Sequence, residues 1–220
     1  MNIAQMIDHS LLKPDATKEE IRNLCEEGKK YGFVSVCVNP VWVSFCSDLL
    51  KGSSVRICTV SGFPFGANKP EIKAKEAETA IEEGADEIDM VANIGALKSG
   101  DFKLVEEDIK AVRSAIGKEK ILKVIIETAV LTNEEKIKAT QIIMACRADF
   151  VKTSTGFGYP GAMVEDVKLL KKVGRDKIRI KASGGIRDYE TALKLIEAGA
   201  GRIGTSSGVK IVEQSKSFEN

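Results

Sequence analysis

The stretch Val151-Lys152-Thr153-Ser154-Thr155-Gly156 sets a lysine at the end of a short apolar run, Phe150-Val151, and follows it directly with hydroxyls and a glycine. A lysine at the end of a buried strand must find a partner or lose its proton, and the neutral amine is a nucleophile toward carbonyls. Lys152 is therefore a candidate for Schiff-base chemistry. The competing reading is a solvated lysine just past a strand, and the hexapeptide alone leaves both open.

The rest of the chain must supply a scaffold that brings such a strand end together with others. Thr17-Lys18-Glu19-Glu20 and Thr132-Asn133-Glu134-Glu135 have capping-box spacing and open helices. Phe102, Val105, Ile109, Val112 and Ile116 step by three and four along a longer amphipathic helix. Short β-branched runs, such as Val34 to Val38, Val55 to Val60 and Ile121 to Ile126, alternate with these helices. A helix stop, a small turn and a buried run recur at Gly84 to Met90, Arg147 to Thr153 and Gly199 to Thr205, the mark of serial βα units. Counting from Ile7, about eight strand-like runs follow at a repeat of roughly 25 to 30 residues, which predicts an α/β fold, a single (β/α)8 TIM barrel over residues 1–220. A doubly wound open sheet is the alternative, but no glycine-rich nucleotide fingerprint follows the first strand. The segment from about Lys210 reads as a polar, mobile tail.

In such a barrel the active site forms at the C-terminal strand ends. Those ends read Asp8, Cys37, Asp89, Glu127, Lys152 and Lys181, with Lys123 an even number of residues before Glu127 and hence predicted on the same face. Three lysines and several carboxylates then share one small interior. A mutually neutralised ion-pair layer is the bland alternative, yet charged residues are rarely buried for packing alone. Two glycine-rich turns, Ser183-Gly184-Gly185 and Gly204-Thr205-Ser206-Ser207-Gly208, follow the seventh and eighth strands, where barrels commonly bind phosphate through backbone N–H groups and hydroxyls. Arg187 either adds charge there or caps a loop in solvent.

Composition narrows the function classes. The 220 residues are 43% apolar, and 33 basic against 32 acidic side chains leave no electrostatic footprint for nucleic acid or an anionic membrane. No apolar run approaches the roughly 18 residues of a membrane span, and the N-terminus lacks signal-peptide character, which points to a cytoplasmic protein. Five cysteines without metal-ligand spacing read as reduced core thiols, and a single histidine, His9, makes a zinc site implausible. His9 beside Asp8 reads as structural.

These motifs together resemble the deoxyribose-phosphate aldolases. The resemblance runs through Ile7 to Pro14, Val36-Cys37-Val38-Asn39-Pro40, Glu87-Ile88-Asp89-Met90-Val91, Lys123 to Glu127, Val151 to Gly156, Lys181 to Arg187 and Gly204 to Ser207. It implies reversible cleavage of 2-deoxy-D-ribose 5-phosphate to D-glyceraldehyde 3-phosphate and acetaldehyde by a class I mechanism, with no metal and no cofactor. It assigns imine formation to Lys152, the second essential lysine to Lys181 and the proton relay to Asp89. Asp8, Cys37, Lys123, Thr155, Gly156, Gly184, Gly185, Ser206 and Ser207 become the substrate-binding residues, and a homodimer or homotetramer is implied. Lys123 pairs with Asp89, Asp8 or Glu127 on this reading. Some family members relay protons through a tyrosine in the C-terminal tail, but the tyrosines here are Tyr31, Tyr159 and Tyr189. The residues leave two other readings open: a class I aldolase of a different phosphorylated sugar, and a catalytically silent sugar-phosphate sensor.

Overall fold

The computed structural model describes residues 2–218. Its strands are β1 (Ile7–Leu11), β2 (Ser35–Val38), β3 (Arg56–Ser61), β4 (Glu87–Val91), β5 (Ile121–Ile125), β6 (Phe150–Lys152), β7 (Arg179–Ser183) and β8 (Arg202–Thr205). All pair in parallel, in sequence order, and β8 returns to β1 to close the barrel. The (β/α)8 barrel read from the sequence is the fold.

The helices are α1 (Lys18–Tyr31), α2 (Val43–Leu50), α3 (Pro70–Glu82), α4 (Ile94–Lys98), α5 (Phe102–Ile116), α6 (Asn133–Ala145), α7 (Val164–Gly174), α8 (Tyr189–Glu197) and α9 (Gly208–Phe218). Both expected capping boxes form, at Thr17 with Glu20 and at Thr132 with Glu135, each satisfying two backbone donors that a helix start would otherwise leave free. Pro70 opens α3, where its missing N–H costs nothing.

Alternation along each strand divides the core in two. Ile88, Val124, Val151, Ile180 and Ile203 join the apolar layer between sheet and helices. The intervening Glu87, Asp89, Lys123, Lys152, Lys181 and Arg202 form a charged layer in the barrel interior, next to a small apolar cluster of Cys37, Cys58 and Val60. A separate buried pair fastens the helices outside. Lys73 of α3 donates to Asp108 Oδ2 of α5 at 2.7 Å and to the Val91 carbonyl at 2.8 Å.

The polar tail expected from Lys210 is corrected by α9, which is helical through Phe218; Glu219 and Asn220 lie outside the described residues. Ile211, Val212 and Ser215 are buried, the first completely, so a stripe of only a few residues suffices to seat the helix against α8 and β1. The short α4 was also not anticipated. Asn93 caps it by accepting from Ala96 N, and five residues carry too little periodicity to be read. Ile211→Ala is expected to cost about 2–5 kcal/mol in urea unfolding, the range for truncating a buried isoleucine. A mobile tail would leave the unfolding midpoint unchanged.

Candidate active site

Asp89 sits at the centre of the barrel interior, fully buried on β4. Strand register places it beside Lys123 of β5, and places Lys152 of β6 beside Lys181 of β7. Asp89 Oδ1 accepts from Lys123 Nζ at 2.7 Å and from the Cys58 thiol at 3.2 Å. Its Oδ2 accepts from Lys152 Nζ at 2.8 Å and from Lys181 Nζ at 2.6 Å. Two lysines thus meet on one carboxylate oxygen.

Beneath this hub lies a further layer. Lys181 also pairs with Asp8, which pairs in turn with Arg202. Lys123 contacts Glu87 at 2.6 Å and Asp8 at 3.6 Å, and Arg202 reaches Glu87 at 3.1 Å. The donor atoms of Asp8, Cys58 and Glu87 lie close enough together to hold a cation, and the cation they hold is the Lys123 ammonium. Burial disfavours charge on Asp8, Asp89, Lys123 and Lys181, yet the opposing charges outweigh it. Asp8 and Asp89 are held well below the usual carboxylate range by the surrounding lysines despite their desolvation. Lys181 and Lys123 are correspondingly held above the usual lysine value against burial, Lys181 by Asp8 and Asp89, Lys123 chiefly by Asp89. Burial pushes the Cys58 thiol up, so it stays protonated and donates to Asp89.

Above the hub opens a cleft of about 360 Å³. Cys37, Lys152, Thr155, Gly156, Lys181, Gly184, Gly185 and Ser206 line it, as do Lys13, Phe157 and Arg187. Gly184 is required by geometry: its φ of 89° is left-handed, and a Cβ there would lie 2.9 Å from the Gly161 Cα. At Gly204 a Cβ would lie 2.9 Å from Lys181 Cε, so glycine leaves the lysine room to cross toward Asp89.

Not every residue expected at the site reaches the cleft. Asp8, Lys123 and Asp89 are fully buried in the floor. Ser207 does not line the cleft; its N–H donates to Thr205 Oγ1 at 2.9 Å at the start of α9. Glu127 does not share the inward face with Lys123, because β5 ends at Ile125 and the left-handed backbone at Glu127 turns its side chain to Thr155. Lys123 accordingly pairs with Asp89 and Glu87. His9 points away from the interior, with Nε2 2.7 Å from Glu27 of α1. Glu87, Cys58 and Arg202 belong to the cluster and were not singled out in the sequence. The one legible sign was Glu87, two residues before Asp89 and so on the same strand face.

A parallel (β/α)8 barrel with paired lysines on a buried carboxylate beneath a glycine-lined cleft belongs to the class of barrel enzymes with their site at the C-terminal strand ends. The family model for DeoC/LacD family aldolases matches residues 2–214. A deoxyribose-phosphate aldolase of Geobacillus sp. is 57% identical over 100% of this chain and 98% of its own. One of Lactococcus lactis is 56% identical over the full length of both. Among solved structures, the tetrameric deoxyribose phosphate aldolase from Aeropyrum pernix superposes with a TM-score of 0.91 at 36% identity, covering 98% of this chain and 92% of that one. This chain belongs to the DeoC/LacD aldolase family.

The depressed carboxylates set a pH dependence of stability. A carboxyl whose folded pKa lies below its unfolded value, about 3.9 for aspartate, stabilises the fold above that value and ceases to as pH falls toward the folded one. The raised lysines contribute fully below about 10.4 and lose their contribution only at higher pH. Urea midpoints are therefore expected to be flat near neutrality and to fall steeply below about pH 4. Asp8→Asn, with one depressed carboxyl fewer, should show a lower midpoint and a shallower acid slope; an equal slope would place the acid lability elsewhere.

Proposed function

We propose that the chain is a class I aldolase that reversibly cleaves 2-deoxy-D-ribose 5-phosphate to D-glyceraldehyde 3-phosphate and acetaldehyde, with Lys152 as the imine-forming residue. The observation that carries this is the shared Asp89 Oδ2, which sets Lys152 and Lys181 side by side at the floor of the cleft. Lys123, Lys152, Lys181 and Arg202 face only Asp8, Glu87 and Asp89 in this cluster. Lys152 has the fewest carboxylate contacts of the four, a single one to Asp89, and lines the cleft, so it is the lysine least committed to the buried layer and most open to a carbonyl there.

The amine attacks C1 of the open-chain sugar phosphate, and loss of water gives a protonated imine. Removal of the C3 hydroxyl proton then breaks the C2–C3 bond, with the electron pair passing to the imine nitrogen. Glyceraldehyde 3-phosphate leaves, the enamine takes a proton at its terminal carbon, and hydrolysis releases acetaldehyde and the lysine. Asp89 is the proton acceptor and donor of this sequence. Because it is buried in the floor, Asp89 meets the cleft through the two lysines on its Oδ2, and with Lys152 tied up in the imine the proton passes by way of Lys181. The phosphate lies against Gly184, Gly185 and Ser206, with Arg187 adding positive charge at the rim. A single domain, a homodimer or homotetramer and a cytoplasmic location complete the proposal; among the described residues no helix is long and apolar enough to cross a membrane.

Borohydride reduction with acetaldehyde is expected to add a two-carbon group to Lys152, mapped by mass; a label on Lys181 or Lys123 would overturn the assignment. Lys181→Met removes a counter-ion from Asp8 and Asp89, which Lys152 then supplies as ammonium, so trapping at pH 7 should slow by about tenfold and recover in part as pH rises. Trapping at the wild-type rate would confine Lys181 to proton transfer after the imine forms. Ser206→Ala should weaken the preference for phosphorylated over unphosphorylated deoxyribose by about 1.5 kcal/mol in kcat/KM. An unchanged preference removes Ser206 from the phosphate site.

A further inference from the structure

Among the described residues three non-glycine positions have left-handed φ: Glu127, Arg147 and Arg175. Arg147 and Arg175 directly follow the last turns of α6 and α7, where a left-handed residue commonly ends a helix. Glu127 ends no helix. It stands two residues past β5 with φ 52° and ψ 67°, a conformation that persists in a non-glycine residue only where its surroundings enforce it. Flanking backbone bonds enforce it here: Ile126 N donates to the Lys152 carbonyl and Thr128 N to the Thr153 carbonyl.

The result of that turn is a buried carboxylate aimed at Thr155. Glu127 is 5% exposed, and its Oε2 accepts from Thr155 Oγ1 at 2.5 Å and from Thr155 N at 3.2 Å. Thr155 Oγ1 in turn accepts from Phe157 N at 3.1 Å. A threonine hydroxyl has one proton and two lone pairs. The Phe157 carbonyl, 3.3 Å away, competes for that proton, but the carboxylate at 2.5 Å is the nearer and charged acceptor. With the proton on the Glu127 side and one lone pair given to Phe157 N, the oxygen has a single acceptor site left, and Thr155 lines the cleft.

We infer that Glu127 is a positioning residue that fixes the Thr155 hydroxyl as an obligate acceptor, so that the cleft selects an aldehyde bearing a hydroxyl donor next to its carbonyl. The inference rests on the aldolase reading above and names what that site demands of its acceptor substrate. D-glyceraldehyde 3-phosphate carries such a hydroxyl; 3-oxopropyl phosphate, otherwise the same chain, does not.

The test compares kcat/KM for these two aldehydes in the synthetic direction with acetaldehyde. Glu127→Gly removes the carboxylate while suiting the left-handed backbone, so it keeps the fold. Glu127→Gln keeps an oxygen able to accept both Thr155 donors. The wild-type preference for glyceraldehyde 3-phosphate is expected to fall about tenfold in Glu127→Gly and in Thr155→Val, with no further loss when they are combined, and to stay within about threefold in Glu127→Gln. Equal losses on both aldehydes in Glu127→Gly, with the ratio at its wild-type value, would overturn the inference and leave Glu127 a prop of the loop. The borohydride adduct on Lys152 tests the aldolase reading separately. Its absence from wild type sinks that reading, whereas its presence with an unaltered ratio in Glu127→Gly sinks this one alone.

Discussion

A carboxylate sealed from water inside a barrel is tolerated only if its charge and lone pairs are met in full, and Asp89 meets that condition with three lysines and a thiol drawn from β3, β5, β6 and β7. The requirement propagates outward. Lys181 needs a second anion and takes Asp8; Asp8 and Glu87 need Arg202; Gly204 is small because Lys181 passes it. Barrels of this architecture usually fill their interior with branched apolar layers. Here the layer is ionic, and the apolar packing that holds the fold is displaced to the space between sheet and helices. The floor gains a rigid electrostatic framework at the cost of being intolerant to the loss of any one member.

The cleft works on a different principle from the floor. One end of it is lined by turn backbone at Gly184 and Gly185, both left-handed, together with Ser206 and Arg187. The other end is lined by Lys152 and Lys181, both bonded to Asp89 beneath. Thr155 lies between the two, with its hydroxyl held by Glu127 from the side.

Much of this was legible in the sequence, and the exceptions have physical causes. The eight strands could be read, and with them the charged residues they carry, because a lysine or aspartate in an apolar run is conspicuous against its neighbours: Lys152 closes β6, while Asp89 and Lys181 stand mid-strand in β4 and β7. Arg202 was read as the first residue of the last strand but not as part of the site; only closure of the barrel brings it opposite Asp8 and Glu87. Glu127 was misdirected by the even-spacing rule, which holds only while the chain remains a strand, and β5 stops at Ile125. Ser206 and Ser207 are indistinguishable by spacing; Ser206 lines the cleft, whereas Ser207 does not and its backbone N–H donates to Thr205 Oγ1. That last helix was hidden because Lys210, Glu213, Gln214 and Lys216 dominate its composition while Ile211 and Val212 do its packing.

The buried ionic layer is also divided by sequence. Its anions, Asp8, Glu87 and Asp89, all come from β1 and β4, and its cations, Lys123, Lys152, Lys181 and Arg202, all come from β5 to β8. From the first half of the chain only Arg56 of β3, half exposed, reaches an anion of the layer, Glu87 at 3.2 Å, so Asp8 and Asp89 draw their countercharge from the second half. The halves attract one another across the interior and pair wrongly with their own kind, since two first halves or two second halves would bring like charges together. Barrel closure is thereby made a meeting of opposites in which folding of either half is completed only by the other.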